Sequence, residues 1–104
     1  MQTKVDTKAS LIKQLSARNA EIKSFGVKSL SVFGSFAKDA HIRPDSDVDF
    51  LVDFEPDKKT YDNFMELSFY LENLLGRRIE LVTPQSLSKY IGPAILKEAE
   101  SVCF

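Results

Sequence analysis

The sequence predicts an α/β fold, a small mixed β-sheet packed with helices in the order α-β-α-β-α-β-α. Three observations carry this. Residues from Asp47 to Phe54 alternate apolar and polar with period two. Two stretches, Thr7 to Phe25 and Thr60 to Leu75, repeat apolar residues at helical spacing, and each is followed by glycine. Between them, Val27 to Phe33 is a short β-branched and apolar run.

Taken in order, the first helix is expected from about Thr7 to Phe25, with Leu11, Leu15, Ile22 and Phe25 on one face and Gly26 as its stop. Val27–Phe33 is the first strand, ending at Gly34-Ser35. Phe36 to Ser46 reads as a turn of helix and a loop, in which Pro44 holds Arg43 extended. In the second strand Val48, Phe50, Val52 and Phe54 form the apolar face, and Asp47, Asp49, Leu51 and Asp53 the other. After the solvated turn Glu55-Pro56-Asp57-Lys58-Lys59, a helix from Thr60 or Tyr61 to Leu75 presents Phe64, Leu67, Leu71, Leu74 and Leu75 to the core. Arg77 to Val82 is the third strand, with Ile79 and Leu81 opposite Arg78 and Glu80. Beyond Pro84 the pattern is helical, in two pieces split near Gly92-Pro93. Only the second-to-third strand link is long enough for a parallel crossover, so the sheet is expected to be mixed.

A chain of 104 residues predicts one domain, residues 1–104. Its 43% hydrophobic and 28% charged residues are ordinary globular composition. The net charge of −1 argues against gripping nucleic acid by bulk positive charge. No apolar run approaches the roughly 18 residues of a membrane-spanning helix. Met1 to Leu15 carries no apolar signal segment, so a cytoplasmic protein is expected. One cysteine, Cys103, and one histidine, His41, exclude a Cys- or His-rich metal site. Any metal ligands must be carboxylates, which suit Mg²⁺.

Asp47-Val48-Asp49 is the informative feature. Two residues along a strand span about 6.6–7 Å, and both side chains leave the same face. Such anions raise each other's pKa unless a cation sits between them. A short Asp-x-Asp can hold one or two ions at roughly the 3.5–4 Å spacing of two-metal sites. Glu80 occupies the matching position inside the apolar run Ile79-Glu80-Leu81-Val82. If the second and third strands are neighbours, it completes a three-carboxylate cluster able to bind metal or accept a proton from an attacking hydroxyl. Upstream, the glycine of Gly34-Ser35 lets backbone N–H groups approach an anion closely. The serine hydroxyl can add a hydrogen bond.

Gly34-Ser35, eleven intervening residues and then Asp47-Val48-Asp49 resemble the nucleotidyltransferase signature of the DNA polymerase β superfamily. Gly34-Ser35-Phe36-Ala37-Lys38 and Arg43-Pro44-Asp45-Ser46-Asp47 are similar to the minimal nucleotidyltransferases, the MNT or MntA-like proteins. The resemblance spans nearly the whole chain. It implies a polymerase β-like nucleotidyltransferase fold. It implies that Gly34 and Ser35 hold a nucleoside triphosphate, with Lys38 and Ser46 beside them and Arg43 flanking the site. It implies that Asp47, Asp49 and Glu80 are the catalytic, Mg²⁺-binding acids. The implied reaction is attack of a hydroxyl on the α-phosphorus of ATP with release of pyrophosphate. MNT proteins act as antitoxins of HEPN-domain ribonuclease toxins, and members transfer AMP to a tyrosine of the toxin. The implied partner is therefore a HEPN toxin, with no membrane and no direct nucleic-acid contact.

Larger relatives append a substrate domain, so here the acceptor is expected in trans. The C-terminal Ile91, Ile95, Leu96, Ala99, Val102 and Phe104 form either an interaction surface or a layer packed on the chain's own sheet. The family's third acid is usually Asp, and Arg-Gly usually stands where Lys38-Asp39 stands here. These differences motivate an alternative: a weak or inactive nucleotidyltransferase fold that neutralises its partner by binding.

Overall fold

The computed structural model describes residues 5–38, 42–43, 45–90 and 92–103. Expectations that fall on Asp39, His41, Pro44, Ile91 and Phe104 lie outside them. The elements are α1 (Lys8–Ala17), α2 (Asn19–Ser24), β1 (Val27–Phe33), α3 (Ser35–Lys38), β2 (Val48–Phe54), α4 (Tyr61–Leu75), β3 (Ile79–Val82), α5 (Gly92–Glu98) and β4 (Glu100–Cys103), with 3₁₀ turns at Pro56–Lys58 and Pro84–Ser86.

The sheet order is β3-β2-β1-β4. β2 and β3 run parallel, and β1 is antiparallel to β2 and to β4, so the sheet is mixed as expected. The parallel crossover is α4, whose N-cap Thr60 accepts a hydrogen bond from the Asn63 amide. It ends where Gly76 adopts φ 69°, a left-handed cap that turns the chain toward β3. Leu67, Leu71 and Leu75 of α4 meet Val48, Phe50 and Val52 of β2, Leu30 and Val32 of β1, and Leu11, Leu15 and Ile22 of the N-terminal helices in one core. That burial is the main force holding the helices to the sheet.

The single N-terminal helix of the sequence reading is two. A regular helix anchored at Leu11, Leu15 and Ile22 would bring position 18 to the same face, and that position is Arg18. The backbone breaks there, at φ −115° and ψ 21°, and α2 starts afresh at Asn19.

The chain's end also differs from the helical expectation, because Glu100–Cys103 forms β4. Ile95, Ala99 and Val102 satisfy a helical spacing, but Val102 is buried in the core as a strand residue. The edge of β1 supplies hydrogen-bonding partners that periodicity cannot foresee.

Candidate active site

The site lies at the C-terminal end of β1, beside the start of β2. Phe33, the last residue of β1, is paired with Asp49 of β2. The next residue, Gly34, turns the chain at φ 75° into the single turn of α3. A Cβ at Gly34 would meet the Oδ2 atom of Asp49, and φ 75° is strained for any side chain, so glycine suits a turn that closes onto that carboxylate. The expected juxtaposition of the Gly34-Ser35 turn with the acidic strand is thus built directly.

Register brings the third acid in. β2 and β3 pair with Asp49 opposite Glu80. The two carboxylates share a face because partners in a parallel ladder point the same way. Asp49 is half-buried, Glu80 exposed. Burial, followed by the negative charges of Glu80 and Asp47, pushes the Asp49 carboxyl up from 3.8 to about 6. Glu98 adds a smaller push in the same direction.

Asp47, one residue before β2, has Oδ1 3.3 Å from Nε of Arg78. Both groups are substantially exposed, so this pair is weak and readily exchanged. Among the described residues, no three carboxylate, histidine or cysteine side chains already converge as a metal cage. The donor set nonetheless suits a hard divalent ion: all oxygen, crowded enough to raise a carboxyl pKa, with Asp47 paired to an exposed arginine. Asp47, Asp49 and Glu80 are the residues that would hold Mg²⁺.

Ser35 opens α3 and is partly buried beside Gly34. Lys38 closes the same turn with an exposed side chain, its Nζ 3.7 Å from Oε1 of Glu98. The Ser46 hydroxyl accepts from the Arg43 amide at 2.9 Å, while the Ser46 amide donates to the Arg43 carbonyl at 3.0 Å. Ser46 therefore shapes the loop that delivers Asp47, and Arg43 is the other end of that loop.

Two residues with a part in this geometry escaped the sequence reading. Arg77 is buried at 7% exposure. Its guanidinium donates to the carbonyls of Val5, Arg43 and Ser46 and lies 5.1 Å over the Phe36 ring of α3. It ties the loop before Asp47 to the turn after Gly34. The signal available was an arginine just after the helix-stopping Gly76, which reads equally as a surface ion-pair partner. The second is Glu98, the last residue of α5, whose Oε1 accepts from the Gly34 amide at 2.9 Å. Its 64-residue separation from Gly34 leaves no local trace in the sequence.

The sequence pattern of the nucleotidyltransferase domain family matches residues 12–102. The protein adenylyltransferase MntA of Thermococcus cleftensis is 44% identical over 85 residues, covering 81% of this chain and 84% of that protein. A solved structure, described as that of a proposed minimal nucleotidyltransferase, superposes with a TM-score of 0.69 at 34% identity, covering 86% of this chain and 93% of that one. A chain from the structure of a tri-AMPylated Shewanella oneidensis HEPN toxin in complex with MNT antitoxin shares the fold, with a TM-score of 0.62 at 15% identity over 92% of this chain and 71% of that one. With the Gly34-Ser35 turn closed onto Asp49 and Glu80 in register beside it, the chain belongs to the nucleotidyltransferase domain family, in its minimal, MntA-like branch.

Proposed function

We propose that this chain is a Mg²⁺-dependent protein adenylyltransferase. It transfers AMP from ATP to a tyrosine hydroxyl of a HEPN-type toxin and so acts as the cytoplasmic antitoxin of that toxin. The observation that carries the reading is the closure of the Gly34-Ser35 turn onto Asp49, with Glu80 in register beside it. Support for a protein acceptor comes from the similarity to an adenylyltransferase of that name, and for the toxin from the fold shared with the antitoxin of a HEPN complex. No helix among the described residues is long and apolar enough to cross a membrane. The net charge of −1 disfavours nucleic acid as acceptor. We read residues 1–104 as one nucleotidyltransferase domain.

The Gly34 amide, the Ser35 hydroxyl and Lys38 bind the triphosphate, and the Ser46 loop and Arg43 flank it. Asp47, Asp49 and Glu80 would hold Mg²⁺, which would supply positive charge to neutralise the carboxylates and polarise the phosphates. The acceptor oxygen attacks the α-phosphorus. One O–P bond forms, the α–β bridging bond breaks, and pyrophosphate leaves. Glu80, the most open of the three acids, accepts the hydroxyl proton. The acceptor comes from the partner, which presents its hydroxyl to the exposed side of this cluster.

Calorimetry of Mg·ATP with the purified chain and with Asp47→Asn/Asp49→Asn tests the site. Binding that requires Mg²⁺ and disappears in the double variant is expected. Equal binding by the folded double variant contradicts the assignment. Asp47 on Arg78 and Glu98 on Gly34 favour a second reading, neutralisation by binding with little turnover. In that case Asp47→Asn neutralises the toxin as well as the unsubstituted chain does.

A further inference from the structure

Glu98 stands where its surroundings oppose it. It ends α5, where the helix dipole disfavours an anion. It also adds negative charge to the neighbourhood of Asp47, Asp49 and Glu80. Two contacts offset this, and both use the same oxygen: Oε1 accepts from the Gly34 amide at 2.9 Å and lies 3.7 Å from Nζ of Lys38. Those are two of the three groups that the proposed function assigns to the triphosphate.

We infer that Glu98 is an internal competitor for the nucleotide's phosphates, a carboxylate that occupies the Gly34 amide and Lys38 until the substrate displaces it. A carboxylate oxygen and a phosphate oxygen are alternative acceptors for one N–H, and side by side they repel. Glu98 is 31% exposed and sits at a helix end, so its side chain has solvent to swing into. The displacement makes the cradle selective. An anion that arrives with Mg²⁺ brings its own neutralising charge and meets less repulsion from Glu98. Metal-free pyrophosphate meets all of it. Glu98 is thus a specificity-determining residue, and this inference rests on the nucleotidyltransferase reading.

The test compares the unsubstituted chain, Glu98→Ala and Glu98→Gln by calorimetry with Mg·ATP and with metal-free pyrophosphate. Removing one charge-assisted competitor should tighten Mg·ATP binding roughly five- to tenfold in Glu98→Ala. Pyrophosphate should gain more than Mg·ATP. Glu98→Gln, which keeps an acceptor but loses the charge, should fall between, and it carries the test alone if the alanine variant does not fold. In amide NMR the Gly34 resonance of Glu98→Ala should move without ligand. Unchanged or weaker Mg·ATP binding in the folded variants overturns the inference while leaving the function standing. Loss of binding in Glu98→Ala would make Glu98 a ligand of the loaded site and also overturns it. Failure of every chain, the unsubstituted one included, to bind Mg·ATP overturns the inference and the proposed function together.

Discussion

Replacing Asp49 by asparagine should make the metal-free protein more stable while weakening its response to Mg²⁺. The Asp49 carboxyl sits at about 6 in the fold against 3.8 for the unperturbed group. The folded state therefore holds that proton more tightly than the unfolded chain does. The ionised carboxylate costs the fold free energy at pH 7, and the cost is relieved as pH falls from about 6 to about 4. A difference of about 2 units corresponds to about 3 kcal/mol at most. Asp49 is only half-buried, and solvent screening reduces this to about 1–1.5 kcal/mol. For a domain of 104 residues that is a rise in Tm of about 5 °C or somewhat more. The assay is thermal unfolding by circular dichroism at pH 7 and pH 4, with EDTA and then with Mg²⁺. Asp49→Asn should melt higher at pH 7 in EDTA, and the advantage should vanish at pH 4. Mg²⁺ should raise the Tm of the unsubstituted chain more than that of the variant. A variant that melts lower than the unsubstituted chain at pH 7 in EDTA would refute the reasoning, because the Asp49 carboxylate would then be stabilising rather than held against burial and repulsion.

Other outcomes follow from the same geometry. Glu80→Gln should lower the Asp49 pKa, since it removes the neighbouring charge that raises it most, and carboxyl NMR titration reads this directly. Gly34→Ala forces a side chain into a left-handed conformation against Asp49 and should cost about 1–2 kcal/mol in urea unfolding, together with Mg·ATP binding. Arg77→Ala leaves the carbonyls of Val5, Arg43 and Ser46 without their shared donor and should destabilise the fold by about 3 kcal/mol or more. Arg77→Lys should recover part of that loss, measured in the same unfolding experiment.

Much of this site could be read from the sequence because its parts are local. Asp47 and Asp49 announce a strand face by period two, and β2 runs over Val48–Phe54, close to the span expected. Gly34-Ser35 marks the end of β1, and Gly76 fixes the end of α4. Parallel register then carried Glu80 to Asp49, as neighbouring strands would require. What could not be read depends on contacts distant in sequence. Glu98 reaches Gly34 only because β4 adds to the free edge of β1 and draws α5 after it. Arg77 becomes a hub only when Val5, Arg43 and Ser46 converge around it. The Ser46 hydroxyl accepts from the Arg43 amide, a loop contact that the sequence did not foretell and that leaves its O–H able to donate to the nucleotide expected beside it.

The most direct test of the central claim is transfer itself. The purified chain is incubated with a HEPN toxin as its proposed partner, ATP and Mg²⁺, and the toxin's intact mass is measured beside a reaction with Asp49→Asn. The account predicts a gain of one or more AMP units on a partner tyrosine, dependent on Mg²⁺ and absent with the variant. An unmodified partner that is neutralised all the same would contradict it, and so would equal transfer by Asp49→Asn.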